Sequence, residues 1–168
     1  MEIRPETPPD IAAVRQVNMA AFQRENEANL VDRLRGGTAT FALVAVQTQQ
    51  IVGHICFSPV SILGEQGENL LLLGLAPIAV LPEYQRQGIG TLLIQHGLKA
   101  CVEFGCQAVV VLGDPQYYMR FGFIPAIQKG LKCQYDVPEE AFMILELVGG
   151  ALTGGSGTIQ YRPEFMNV

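Results

Sequence analysis

Ile78-Ala79-Val80-Leu81-Pro82-Glu83-Tyr84-Gln85-Arg86-Gln87-Gly88-Ile89-Gly90-Thr91 is the stretch whose reading decides the fold. An apolar strand runs into a short polar loop, and two glycines open a long helical pattern, Gly88 to Phe104. Backbone N–H groups at a helix start lack intrahelical acceptors and point at one locus. The helix dipole adds positive potential there, and glycines without Cβ atoms let a phosphate approach the backbone closely. Two rival phosphate motifs are absent: there is no GxxxxGK[ST] and no GxGxxG after an early strand. A lone GxG pair is as well explained by close helix packing. The strand in front, Gln85 at the first loop position and the long helix behind favour an anion site.

Outward from this stretch, the chain alternates strand and helix patterns. Glu2-Ile3-Arg4 reads as a short strand, and Thr7-Pro8-Pro9-Asp10 as a helix start with a capping box. Ile11, Val14, Val17, Ala21 and Phe22 follow at helical spacing, and Ala28, Leu30, Val31 and Leu34 mark a second helix stopping at Gly36-Gly37. Phe41 to Val46 and Ile51 to Phe57 predict two strands joined by the turn Gln47 to Gln50. A Gly- and Glu-rich loop, Gly64 to Asn69, precedes the buried strand Leu70 to Leu81, in which Pro77 predicts a bulge or splay. On the Gly88 to Phe104 helix, Gly97 and Ala100 share a face with Leu93 and Phe104, suited to packing on a sheet. Ala108 to Leu112 is a β-branched buried strand, and Gln116 to Phe121 forms one or two helical turns. Ala141 to Val148 is a further strand, Gly149 to Gly157 a connector and Thr158 to Tyr161 an edge strand. This order predicts one domain, residues 1–168, of α/β class: a mixed central sheet with helices on both faces.

Composition bounds the function. A chain of 168 residues with 49% hydrophobic and 16% charged residues builds a core without metal or disulfide staples. A net charge of −5 argues against general nucleic-acid binding. The four cysteines, Cys56, Cys101, Cys106 and Cys133, form no CxxC and have no histidine partners in a zinc-motif spacing, which predicts no metal and a reduced, cytoplasmic chain. The longest apolar run is too short for a membrane span of roughly 20 residues, and no signal peptide is evident.

The loop Gln85-x-x-Gly88-x-Gly90 resembles the [Q/R]-x-x-G-x-[G/A] motif of the GCN5-related N-acetyltransferase (GNAT) superfamily. Tyr118-Met119-Arg120-Phe121-Gly122-Phe123 is similar to that family's Y-x-x-x-G-F element. The runs Gly53 to Val60, Leu75 to Val80 and Val111 to Phe123 resemble its YhbS-like bacterial branch, so that the resemblance spans essentially the whole chain. It implies the acyl-CoA N-acyltransferase fold, with its central parallel strands splayed between Leu70–Leu81 and Ala108–Leu112. It also implies acetyl-CoA as acyl donor. Ile78, Ala79 and Val80 would pair with the pantetheine arm, and Gln85, Arg86, Gln87, Gly88, Ile89, Gly90 and Thr91 would hold the pyrophosphate. Asp114 and Phe121 fall at further cofactor-contacting positions, and Arg86 and Arg120 can reach phosphates.

The expected reaction is N-acetyl transfer by direct attack of an amine on the thioester. A backbone N–H near Val80 would receive the oxyanion, and Tyr118 would protonate the departing thiolate. A non-catalytic acyl-CoA-binding or sensing module, or transfer of a different acyl group, are the alternatives. Leu70 to Val80 lacks the glutamate that many family members use as general base; the candidates elsewhere are Glu27, His54 and Glu146. Against those roles stand a solvated helix face for Glu27, a satisfied strand histidine for His54 and a surface strand carboxylate for Glu146. The acceptor is expected to be a small-molecule, protein or peptide amine. The apolar edge near Phe142 to Val148 could support a homodimer.

Overall fold

Thr7 and Asp10 close the capping box that the sequence predicts. Thr7 donates its backbone N–H (2.7 Å) and its hydroxyl (2.9 Å) to Asp10 Oδ2, and the Arg4 guanidinium forks onto the same carboxylate at 2.7 and 3.0 Å. Those bonds hold the Asp10 carboxyl well below the usual range, with Arg4 the largest cause. The computed structural model describes residues 1–63, 70–152 and 156–168. The loop expected at Gly64 to Asn69 and residues 153–155 of the expected connector lie outside the described residues.

In chain order the elements are β1 (Glu2–Pro5), α1 (Ile11–Phe22), α2 (Asn26–Leu34), β2 (Phe41–Gln47), β3 (Gln50–Leu63), β4 (Leu72–Val80), α3 (Ile89–Phe104), β5 (Ala108–Leu112), α4 (Pro115–Met119), β6 (Ile124–Pro125), β7 (Leu131–Cys133), β8 (Phe142–Glu146) and β9 (Gly157–Gln160). Two compact units are distinguishable, Met1–Ser58 with Ala76–Ala100 and Pro163–Val168, and Pro59–Leu75 with Cys101–Arg162.

In the first unit β1 pairs with β2 and β2 with β3, both antiparallel, in a register running from Phe41 opposite Phe57 to Gln47 opposite Gln50. Alternation along these strands then sorts side chains to two faces. Val44 packs with Val14 of α1 and Val31 of α2, and Ala42 and Cys56 pack with Leu30 and Leu34. The opposite face carries Gly53, where an added Cβ would meet Leu93 and Ile89 of α3 at 3.0 and 3.1 Å. Gly97 of α3 lies on the Phe57 ring so closely that a Cβ would sit 2.6 Å from it. Helices therefore cover both faces, and the small residues of α3 are what let it approach. Phe104 departs from the expected packing face: it is 48% exposed, because it ends the helix where Gly105, at φ 92°, turns the chain away.

The second unit has a mixed sheet. β4 runs parallel to β5 over Leu72–Gly74 against Ala108–Val110, and β5 pairs antiparallel with β8 over five registers. The parallel ladder covers only these three positions, while β4 itself continues through a cis Ala76–Pro77 bond to Val80. The expected splay is present, but the strands part beyond Gly74 and Val110, ahead of Pro77, so the missing proline donor is not what ends the ladder.

Three expectations are corrected here. β9 is not an edge strand, because it pairs with both β3 and β7. The Phe142 to Val148 segment is not an apolar edge either. The short β6 covers Met143 and Ile144 on the side away from β5, and Phe142, Met143 and Ile144 are buried. β3 extends past Phe57 to Leu63 because its far end gains β9 as a partner.

Candidate active site

The loop between β4 and α3 is shaped by short local bonds. Leu81 N donates to Val52 O at 2.9 Å, tying the strand end to β3. A 3-10 turn, Pro82–Tyr84, follows. Gln85 then folds its side chain back, donating Nε2 to Val80 O at 2.9 Å, and Gln87 Nε2 donates to Glu83 O at 3.2 Å. Motif spacing did not reveal these two anchors. They fix the loop's curvature around Gln87 and Gly88.

Arg86 and Gly88 both take left-handed backbone conformations, at φ 63° and 88°. Gly88 needs that freedom, and nothing lies within 4 Å of where its Cβ would be. Leu92 N is the first α3 donor bonded to the turn, reaching Gly88 O at 3.1 Å. The N–H groups ahead of it have no intrahelical acceptor. Gln85 to Gly88 are exposed, whereas Ile89 is buried and anchors the helix start in the core. The result is an open backbone turn at the positive end of α3, beneath a glycine with open space where a Cβ would stand.

In the second unit, β5 leads through Gly113 into α4. Asp114 caps this helix by accepting from Gln116 N at 3.0 Å, so a structural role accompanies its expected contact with the cofactor. Tyr118 is buried, at 7% exposure, with its ring filling the space where a Gly113 Cβ would be. It makes edge contacts with Tyr117 (5.2 Å) and Phe123 (5.7 Å). Burial, with a smaller contribution from Tyr117, pushes its hydroxyl up to about 12. Phe121 packs edge-on to Tyr117, and the Arg120 guanidinium lies over both rings at 5.2 and 5.7 Å.

Of the three candidate bases, two are held by ion pairs and one is buried neutral. His54 is fully buried, with Nδ1 3.2 Å from Asn18 Nδ2. Burial first, and Arg35 second, push it down to about 3. It is a neutral core histidine, but not a satisfied one, since its Nε2 has no hydrogen-bond partner. Glu27 is not on a solvated face: it is 6% exposed and bound by Arg24, whose Nε donates to Oε1 at 2.9 Å. Glu146 is held by Lys129 at 2.8 Å and by Leu152 N at 3.0 Å, and these bonds lower its carboxyl, Lys129 first.

A splayed α/β sheet with a glycine cup at the helix start and a buried tyrosine after the next strand defines an acyl-CoA transferase class. Residues 11–123 match the model of the Acetyltransferase (GNAT) family, and this chain belongs to that family. It is 40% identical to the N-acetyltransferase YhbS of Escherichia coli K12 over 167 residues, 98% of each chain. It is likewise 40% identical to the N-acetyltransferase YjhQ of the same strain over 135 residues, 78% of this chain and 74% of that one. Among solved structures, Escherichia coli YhbS in complex with CoA superposes with a TM-score of 0.90 at 39% identity, covering 98% of this chain and 91% of that one. A Brucella melitensis GNAT acetyltransferase in complex with acetyl-CoA gives 0.79 at 36% identity, covering 98% and 97%.

Proposed function

We propose that this chain works as one catalytic domain that moves an acetyl group from acetyl-CoA to an amine by direct attack. The observation that carries the reading is Gly88: left-handed, without neighbours around its absent Cβ, and set at an N-terminus whose N–H groups are open. The CoA and acetyl-CoA complexes of the two similar structures support acetyl-CoA as the occupant. Gln85 to Thr91 hold the pyrophosphate, and Ile78, Ala79 and Val80 run beside the pantetheine arm. Asp114 and Phe121 add contacts to the same arm.

The neutral amine nitrogen attacks the thioester carbon, and the carbonyl oxygen becomes an oxyanion received by a backbone N–H near Val80. The C–S bond then breaks, Tyr118 gives its phenolic proton to the leaving thiolate, and the new amide's extra proton passes through water back to the Tyr118 oxygen, restoring the phenol. A hydroxyl raised by burial stays protonated throughout the working range, as an acid must. No carboxylate on this chain is assigned as base; the amine arrives deprotonated or loses its proton to water.

A second reading, an acyl-CoA-binding module without turnover, draws on one observation: Glu27, His54 and Glu146 are all committed to partners or buried neutral. Trapping free thiol during incubation with acetyl-CoA and a panel of primary amines separates the two. Amine-dependent thiol release is the expected result. Saturable acetyl-CoA binding with no release above the amine-free rate would leave only the binding module.

A further inference from the structure

Gly113, between β5 and α4, is a glycine that its backbone does not require. Its φ lies outside the left-handed region that Gly88, Gly105 and Gly122 occupy, so an alanine takes the same backbone without strain. What excludes a side chain is the Tyr118 ring. A Cβ at position 113 would stand 2.5 Å from Cε2, 3.2 Å from Cδ2 and 3.5 Å from Cζ of that ring. Non-bonded carbon atoms rest about 3.5–4.0 Å apart. The ring edge therefore occupies space that only a glycine leaves open.

Neither partner has room to yield. Gly113 N donates to Ala141 O at 2.9 Å, which ties it to the residue ahead of β8. Tyr118 N donates to Asp114 O at 3.1 Å, and Tyr118 O accepts from Phe121 N at 3.0 Å, so the pivot of the ring is fixed. The ring itself meets Tyr117 and Phe123 edge-on, and Phe123 is buried. Among the described residues nothing hydrogen-bonds the Tyr118 hydroxyl, so ring packing alone aims it. An alanine at 113 must push Cε2 back by about 1 Å to reach ordinary contact. The hydroxyl lies farther from the pivot than Cε2 and swings at least as far.

We propose that Gly113 is a positioning residue for the transfer: its missing Cβ fixes the direction of the Tyr118 hydroxyl, and through it the delivery of the phenolic proton. This role rests on the reading of Tyr118 as general acid; the ring's dependence on Gly113 does not. A misplacement of about 1 Å costs up to about a hundredfold in rate, as much as the Tyr118 hydroxyl is expected to supply.

The test is a double-mutant cycle on kcat in the thiol-release assay, with the whole protein, acetyl-CoA and a primary amine that the wild type turns over. Gly113→Ala should lower kcat about tenfold to a hundredfold, with acetyl-CoA affinity by calorimetry near wild type. Added to Tyr118→Phe, which has no proton to misdirect, Gly113→Ala should cost no further rate. A merely structural Gly113 would slow both backgrounds by the same factor, and that result overturns the proposal. So does wild-type kcat in Gly113→Ala beside an impaired Tyr118→Phe, which leaves the acid standing. Wild-type turnover by Tyr118→Phe, or no thiol release by the wild type with any amine, fails the acid reading itself, and the positioning role falls with it. The ring contact is read separately by urea denaturation. Gly113→Ala should lower the midpoint far less on Tyr118→Leu, which lacks Cε2 and Cζ, than on the wild type. An equal drop in both, or a Gly113→Ala chain that folds in neither, places the clash elsewhere and overturns the proposal.

Discussion

Tyr118 and His54 are both buried titratable groups, and burial moves them in opposite useful directions. Raising a phenol keeps it protonated, so under the proposed acid role the ionisation of Tyr118 should cost no rate below pH 10. Tyr118→Phe keeps the ring against Gly113, Tyr117 and Phe123. It should leave acetyl-CoA affinity near wild type and lower kcat about a hundredfold, the modest end of general acid catalysis. Tyr117→Phe is the matched control and should stay active; an inactive Tyr117→Phe beside an active Tyr118→Phe would reassign the acid. For His54 the folded value is depressed from 6.5 to about 3. The unfolded chain therefore takes up a proton below pH 6.5 that the folded chain refuses, and stability falls as pH drops through that window. Between pH 6.5 and 5, above the carboxylate range, the loss should approach about 2 kcal/mol. Urea denaturation should show this slope in the wild type and a flatter one in His54→Gln. Equal slopes would mean that His54 titrates normally in the fold.

At the scale of elements, α3 was the most legible piece: Gly88 to Phe104 was expected, and Ile89–Phe104 is found. Its capping glycine, its apolar spacing and its length all point one way. The β2–β3 hairpin and β5 were equally readable. β6 and β7 were not, being two and three residues long and held by partners distant in sequence, Met143 and Ile144 for one and Gly157 to Ile159 for the other. No local periodicity encodes such pairing. The same distance effect made β9 look like an edge. Glu27 looked solvated for a different reason: Arg24, a near neighbour in sequence, folds back over it. Gly97, by contrast, announced its role. Its absent Cβ leaves room for the Phe57 ring, which is itself stacked on Phe41 at 5.1 Å. Gly97→Ala gains helix propensity but must push that stack aside, and overpacking a filled core costs about 1–3 kcal/mol. We expect a net loss of stability in urea titrations; a stabilised Gly97→Ala protein would show that α3 packs more loosely than described.

For the molecule as a whole, the sequence carried the family, and glycine spacing ahead of a long helix carried the local shape of the loop between β4 and α3. A cavity lined by Tyr135 was not legible, since it is assembled from a 3-10 turn, β7 and the start of β8. A ligand bound only by the folded protein stabilises it, by about 2.7 kcal/mol at a hundred times its dissociation constant. Acetyl-CoA should therefore protect the entire chain against unfolding. The most direct test is calorimetric titration of acetyl-CoA into the wild type, Gly88→Ala and Gly88→Trp. Either substitution at φ 88° carries a left-handed backbone penalty of about 1–2 kcal/mol, so the two variants should lose similar stability. Only the tryptophan fills the cup. Saturable binding to the wild type, weaker binding to Gly88→Ala and none to a folded Gly88→Trp is the predicted result. No heat of binding to the wild type at millimolar acetyl-CoA, or unchanged affinity in folded Gly88→Trp, would contradict the assignment of this loop as the acyl-CoA site.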